Sequence, residues 1–327
     1  MNKTITILVP AYNEEEVLYE LYRRLINVIS EIQKYSFEIL FVNDGSKDNT
    51  IEIIKILREG DKSVSFVDLS RNFGKEIAMI AGLDFARGDA VIIIDADLQD
   101  PPELIPKMIA YWEEGYEDVY AKRRNRLGET WFKKRTADVF YKLLQRVTRI
   151  PIQQDTGDFR LLDRRCVEAL KRLRETQRFT KGMFSWIGYS KKEILFDRDP
   201  RLAGTTKWNY FKLLDLAIEG ITSFTTKPLR LSATFGFIIS ICAFLYMLWV
   251  IIKTLMFGVS VAGYSSLMTV ILFIGGIQLI SLGVIGEYLG RVFNETKNRP
   301  LYFVNEYNNG KILPDLHYLD LEERKVR

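Results

Sequence analysis

Two carboxylates separated by a single residue close an apolar run: Val91, Ile92, Ile93 and Ile94 lead into Asp95-Ala96-Asp97. Beside a loop, such a pair can hold a hard divalent cation, Mg²⁺ or Mn²⁺, through oxygen, and Gln99 offers one more oxygen. A cation of this kind keeps several waters and takes its remaining ligands from phosphates. Clamped on a diphosphate, it neutralises charge that develops as the leaving group departs. The same aspartates could instead cap the following turn.

Two further segments carry groups suited to a nucleotide. In Pro10-Ala11-Tyr12-Asn13-Glu14, the Tyr12 ring can pack on a base. In Val42-Asn43-Asp44-Gly45-Ser46, Asp44 can accept from the base or the ribose. Read as turn residues alone, Asn-Asp-Gly-Ser needs no function. The chain has neither a Gly-x-Gly-x-x-Gly fingerprint nor a Walker A sequence, which argues against a dinucleotide enzyme and a P-loop NTPase. His317 is the only histidine, so Ser-His-Asp, Cys-His and multi-histidine metal chemistry are excluded. Cys166 and Cys242 have no metal-ligand spacing and fit a reducing compartment.

The elements that must position these groups alternate along the first third of the chain. Strands are expected at 4–9, 37–42, 64–69, 90–94 and 119–121, and helices at 14–33, 49–58, 77–86 and 103–114. Asp100 is the expected N-cap of the last helix, with prolines at its first positions. Continuous β-branched runs between helices indicate an α/β fold with a mainly parallel sheet covered on both faces. Ligands of such sheets bind at the carboxyl ends of strands, where all three motifs fall. Beyond 123 the pattern is less regular and basic, with an amphipathic helix expected over 132–147 and a loop entering a strand over 155–162.

The chain holds 327 residues, 47% hydrophobic and 27% charged, with a formal net charge of +4. That charge is too small to argue for nucleic acid. Between Leu231 and Gly286 charges vanish apart from Lys253. About 20 apolar residues cross a bilayer as a helix, so two transmembrane helices are expected, at about 229–253 and 265–288. Lys227 and Arg230 before the first, and Arg291, Lys297 and Arg299 after the second, place both ends of the hairpin in the cytoplasm. The start of the chain does not read as a signal peptide, so the catalytic part is expected to stay cytosolic. The segment 209–224 reads as an interfacial helix against membrane lipids, or as a domain helix packed inward. The expected organisation is a catalytic domain over 1–205, an interfacial region over 206–228, the spans within 229–293, and a tail over 294–327. The glycines of the second span could serve a homo-oligomer or only the hairpin.

Val9-Pro10-Ala11-Tyr12-Asn13-Glu14, Asn43-Asp44-Gly45-Ser46-Lys47-Asp48, Arg71-Asn72-Phe73-Gly74-Lys75 and Asp95-Ala96-Asp97-Leu98-Gln99-Asp100-Pro101-Pro102, in this order and followed by a membrane hairpin, together resemble glycosyltransferase family 2. Within it the chain looks like the polyprenyl-phosphate glycosyltransferases, the group of bactoprenol glucosyltransferases and dolichol-phosphate mannose synthases. The resemblance covers nearly the whole chain. It implies a GT-A nucleotide-sugar-binding domain and inverting transfer. It assigns Asp95 and Asp97 to the donor's ribose–diphosphate and its metal, and gives Pro10, Tyr12, Glu14 and Asp44 to the nucleotide, with Lys75 near the donor. Arg123 matches an arginine expected to meet a phosphate, and Asp158, in Thr156-Gly157-Asp158-Phe159-Arg160, takes an active-site position. Arg201-Leu202-Ala203-Gly204-Thr205-Thr206-Lys207 resembles a segment that closes over the reacting phosphates, with Arg201 and Lys207 as its cations. Read without the family, these basic residues are a solvated surface.

The resemblance names a nucleotide-sugar donor, UDP-glucose first, GDP-mannose or a UDP-linked modified pentose next, and a polyprenyl phosphate acceptor, undecaprenyl phosphate in a bacterial inner membrane. No Gln-x-x-Arg-Trp motif is present, so one sugar is added and the reaction stops. Asp158 could orient the acceptor, bind the metal or act as a base. Transfer to a growing polysaccharide, and a non-catalytic membrane scaffold on the same fold, are the competing readings.

Overall fold

The computed structural model describes residues 3–124, 156–176, 178–197, 226–257, 263–308 and 310–311. They belong to two units, Met1–Leu213 with Pro300–Arg327, and Leu214–Arg299. In the first unit, β1 (Thr4–Ala11), β2 (Ser36–Asn43), β3 (Val64–Leu69) and β4 (Ala90–Ile93) pair in parallel in the spatial order β4-β1-β2-β3. β1, β3 and β4 are buried almost throughout, which is why their sequences run apolar without alternation. α1 (Leu18–Ser30) lays Leu18, Leu21 and Leu25 on the core at helical spacing. α2 (Thr50–Gly60) does the same with Ile54 and Leu57. α3 (Lys75–Phe85) is buried without a break from Ala78 to Asp84.

The parallel run is extended on both sides by antiparallel partners. β6 (Thr156–Asp163) pairs antiparallel with β4 and with β5 (Asp118–Arg123), and β7 (Lys191–Phe196) lies parallel to β5. On the other side, β8 (Val304–Tyr307) pairs antiparallel with β3, and β9 (Gly310–Lys311) with β8. The last stretch of the chain thus supplies strands to the sheet. Helices α4 (Ile105–Glu113), α5 (Arg164–Lys171) and α6 (Thr180–Trp186) complete the unit.

Three helix starts differ from expectation by two residues or more, α3 opening at Lys75 rather than at 77. The first helix begins at Leu18 rather than 14, because the Glu14 carbonyl closes a turn by accepting from the Val17 and Leu18 N–H groups. Asp100 is not an N-cap. Pro102–Leu104 form a single 3₁₀ turn and α4 starts after it, with no side-chain cap on either. An Asp-Pro-Pro sequence suits an N-terminus, but here the prolines shape the turn and Asp100 is buried. The helices expected over 132–147 and 209–224 lie outside the described residues.

The second unit consists of α7 (Lys227–Phe257) and α8 (Tyr264–Thr296), 31 and 33 residues long. At 1.5 Å per residue each reaches about 45–50 Å, more than the roughly 30 Å of a bilayer's hydrocarbon. Phe237, Leu255, Leu279 and Ile280 are each more than two-thirds exposed. Apolar surface on this scale has no place in water.

Candidate active site

The chain runs β1, β2, β3 outward in one direction and then returns to place β4 on the other side of β1. That reversal opens a crevice at the carboxyl ends of β1 and β4. Tyr12 and Glu14 follow β1, and Asp95 and Asp97 follow β4, so both motifs meet at the switch point. Leu8 pairs with Ile93, and the Ile94 N–H donates to the Leu8 carbonyl, which sets Pro10 and Ala11 beside Asp95 and Ala96.

Hydrogen bonds tie the loops after β1 and β2 into one body. The Asn13 N–H donates to Ser46 Oγ (3.0 Å), and the Lys47 N–H to Asn13 Oδ1 (2.8 Å). The Glu14 N–H donates to Thr50 Oγ1 (2.9 Å). Gly45 has φ +62°, and a Cβ there would run into the backbone of Arg71 and Asn72; only glycine lets these loops approach. Tyr12, just past the carboxyl end of β1, stands 40% exposed. Asp44 is buried, with Oδ1 accepting from the Phe73 N–H (2.7 Å) and Oδ2 from the Gly74 N–H (2.9 Å). Burial pushes its carboxyl above the usual value, against the pull of those two N–H groups and of Arg71. In the structure Asp44 therefore anchors the start of α3, where Lys75 is the first residue.

Lys75 is the hub of the site. Its Nζ lies 2.7 Å from Asp95 Oδ1, 2.8 Å from Asp95 Oδ2 and 2.6 Å from Asp158 Oδ2. Ile93 pairs with Arg160 across β4 and β6, and extending that antiparallel register by two residues sets Asp158 opposite Asp95. Two carboxylates at one site repel, and Lys75 is their counterion. Burial alone would lower the Lys75 ammonium and raise the Asp158 carboxyl. The ion pair outweighs burial in both, so Lys75 sits above its ordinary value and Asp158 below. Asp95 is pushed up by burial and by the nearby Asp158 and Asp97, against Lys75.

Leu98 has φ +57°, an uncommon conformation for a branched side chain, and its side chain is buried. The resulting bend brings the Gln99 N–H to Asp97 Oδ1 at 3.2 Å. The strain is held at the residue that aims Asp97. The Gln99 side chain itself is buried. Among the described residues no three His, Cys, Asp or Glu side chains converge into a metal cage. With Asp95 engaged by Lys75, the donor set fits a hard cation held at Asp97 and completed by substrate phosphates and water.

Arg123, the last residue of β5, has its Nε buried without a hydrogen-bond partner. A Cβ at Gly157 would stand 4.0 Å from both Arg123 Nη2 and Asp100 Oδ2, so these groups border the residue preceding Asp158. A buried donor without a partner is rare. Lys181 on α6 completes the basic side. Burial pushes its ammonium down; Asp158 opposes this, and Arg123, Lys75 and Arg160 add to it. The structure thus brings Lys75, Asp95 and Asp158 into contact, with Asp97 close to Asp95 and Arg123 beside Gly157, while Tyr12 and Glu14 stand in the loop after β1, and Arg201 and Lys207 lie outside the described residues. The motifs give no signal for Lys181, which stands apart from all of them, nor for Asp100 as a residue of the site.

Residues 6–171 match glycosyl transferase family 2, and the chain belongs to that family. It is a glycosyltransferase with a GT-A fold. Residues 227–292 match the GtrB C-terminal hairpin. The chain is 52% identical over 323 residues to an uncharacterised glycosyltransferase of Synechocystis, covering 99% of each. It is 47% identical over 306 residues to a prophage-derived bactoprenol glucosyl transferase of Shigella flexneri, covering 94% of this chain and 99% of that one. A similar solved structure is the glucosyl-3-phosphoglycerate synthase of Mycobacterium tuberculosis, 19% identical with a TM-score of 0.46, over 68% of this chain and 78% of that one.

Proposed function

We propose that this glycosyltransferase moves a single sugar, glucose from UDP-glucose, onto a polyprenyl phosphate at the cytoplasmic face of a membrane, with inversion. The observation that carries this reading is the set of cations around Asp158 among the described residues, Lys75, Lys181 and Arg123, in a chain that also exposes a long apolar hairpin. Asp158, held low by Lys75, is a poor proton acceptor. A phosphomonoester needs none, because its second pKa is about 6 and its oxygens are anionic near neutrality. The acceptor oxygen attacks the anomeric carbon while the bond from that carbon to the diphosphate breaks, its electron pair leaving with the nucleoside diphosphate. An α-linked donor gives a β-linked product.

In this reading Tyr12 stacks on the base and Glu14 lines the nucleotide loop. Asp97 would hold a Mg²⁺ or Mn²⁺ ion, which supplies neutralisation of the leaving diphosphate when bound. Arg123 takes the acceptor phosphate, together with Arg201 and Lys207 of the segment that follows β7 in sequence. Lys75 keeps Asp95 and Asp158 from repelling the two incoming phosphates. The hairpin brings the cleft to the lipid, since each buried CH₂ of the acceptor chain is worth roughly 0.8 kcal/mol and cannot cheaply leave the bilayer. Residues on both sides of the hairpin belong to the sheet unit, which supports a hairpin that enters and leaves on one side of the membrane.

The test is transfer by the purified protein to undecaprenyl phosphate from a panel of radiolabelled UDP- and GDP-sugars. A single β-linked lipid product from UDP-glucose, lost on chelation and in Asp97→Ala, is expected. Nucleotide binding with no lipid product from any donor would overturn the acceptor assignment.

A further inference from the structure

The strand after the hairpin reaches the nucleotide loops through an unbroken set of hydrogen bonds. Asn305, on β8, donates from Nδ2 to Asp68 Oδ2 at 2.8 Å. The other oxygen of Asp68 accepts from Asn43 Nδ2 at 2.6 Å, in buried surroundings. Asn43 Oδ1 accepts from the Ser46 N–H (3.3 Å), and Ser46 Oγ accepts from the Asn13 N–H (3.0 Å). Asn13 then accepts from the Lys47 N–H, closing the two loops on each other. The β3–β8 register shifts between Asp68 and Leu69. An irregularity of this kind re-aims a side chain at a functional edge.

The contacts that dock the strand are separate from this set. Lys55 pairs with Glu306 at 2.6 Å, the Phe66 N–H donates to Asn308 Oδ1 (2.8 Å), and Tyr302 Oη donates to Asp84 (2.7 Å). Docking therefore does not need Asn305, and the Asn305–Asp68 bond does something else. A carboxylate that receives two amide donors, one from each neighbouring strand, holds Asn43 in the one orientation that offers its Oδ1 to Ser46.

We propose that Asn305 is a positioning residue for the nucleotide-sugar: through Asp68 and Asn43 it fixes the loops carrying Tyr12, Glu14 and Asp44, so the segment after the apolar hairpin takes part in donor recognition. The inference rests on the donor reading of those loops. Its test uses full-length protein in nanodiscs, with UDP as the probe and two readouts. The first is hydrogen exchange at the Asn13, Ser46 and Lys47 amides. The second is UDP affinity together with the separate KM values for UDP-glucose and lipid acceptor.

Asn305→Ala should speed exchange at the three amides, weaken UDP binding about tenfold and raise the donor KM, leaving the acceptor KM unchanged. Asp68→Asn should do the same, and the double variant should add little to either single one. Glu306→Gln, which loosens docking alone, should move neither readout. Unchanged exchange in Asn305→Ala, or equal effects in Glu306→Gln, overturns the proposal. A wild-type protein that binds no UDP defeats the donor reading instead, and the exchange comparison still decides the wiring.

Discussion

The two halves of the sheet hold their polar groups by different means. On the parallel side, Asp44, Asn13 and Asn43 are fixed by backbone N–H groups and neutral amides. On the antiparallel side, charge is held by charge. Lys75 bridges to Asp158, and the wholly buried Arg160 pairs with Asp118 at 3.2 Å, its guanidinium 3.6 Å from the Phe184 ring centroid. The first arrangement suits a neutral base and sugar, which need shape and hydrogen bonds. The second, at Lys75, suits phosphates, which need fixed cations already in place before the substrate arrives, while the buried Arg160 pair holds the sheet.

The largest test of this contrast is Lys75→Met. It removes the cation that bridges Asp95 and Asp158, and turnover should fall on the order of 100-fold. The same variant has a pH signature. In the wild type Asp158 sits below its unfolded value, so its contribution to stability is present above the ordinary carboxylate range and fades only as pH falls through its lowered value. Lys75, raised, contributes below its unfolded value and loses that contribution only in strong alkali. Neither titrates near neutrality, and the acid limb of wild-type activity should follow the lipid phosphate at about pH 6. In Lys75→Met only Lys181 and Arg160 are left to oppose the burial of Asp158, so its acid limb should move to higher pH. A pH–rate profile of Lys75→Met parallel to that of the wild type would break the contrast.

Arg123→Lys comes next. It keeps the charge and removes the forked donors, so the acceptor KM should rise roughly tenfold with the donor KM unchanged. Equal change in both would put Arg123 on the donor side. The smallest effect belongs to the neutral half. Gly45→Ala, at φ +62° and against the Arg71 backbone, should cost about 1–3 kcal/mol of stability and weaken UDP binding more than it slows turnover. Thermal unfolding and nucleotide titration check both.

Legibility from sequence follows the same divide. Asp95 and Asp97 can be read because they end an apolar strand and their setting is local. Their partner Asp158 is reached only by resemblance, since the pairing of β6 with β4 joins segments far apart in the chain. Asp44 stands out in sequence as a ligand's partner, and its hold on the start of α3 is not legible there, because nothing in Asn-Asp-Gly-Ser announces that α3 will start against it. Asp100 reads as a cap, as Asp-Pro-Pro suggests, although the turn buries it. Lys181 escapes sequence reading, since a lone lysine on a short helix differs in no local way from a solvated one.

β8 also has a consequence for biosynthesis. The ribosome delivers β3 early and its partner only after both apolar helices have been made. Until then β3 is an open edge, the kind of surface that recruits strands from other chains. The catalytic sheet is therefore completed, and the enzyme finished, only after the whole hairpin has left the ribosome. Expressing Met1–Leu213 alone, without the hairpin and β8, should yield protein that self-associates through that edge.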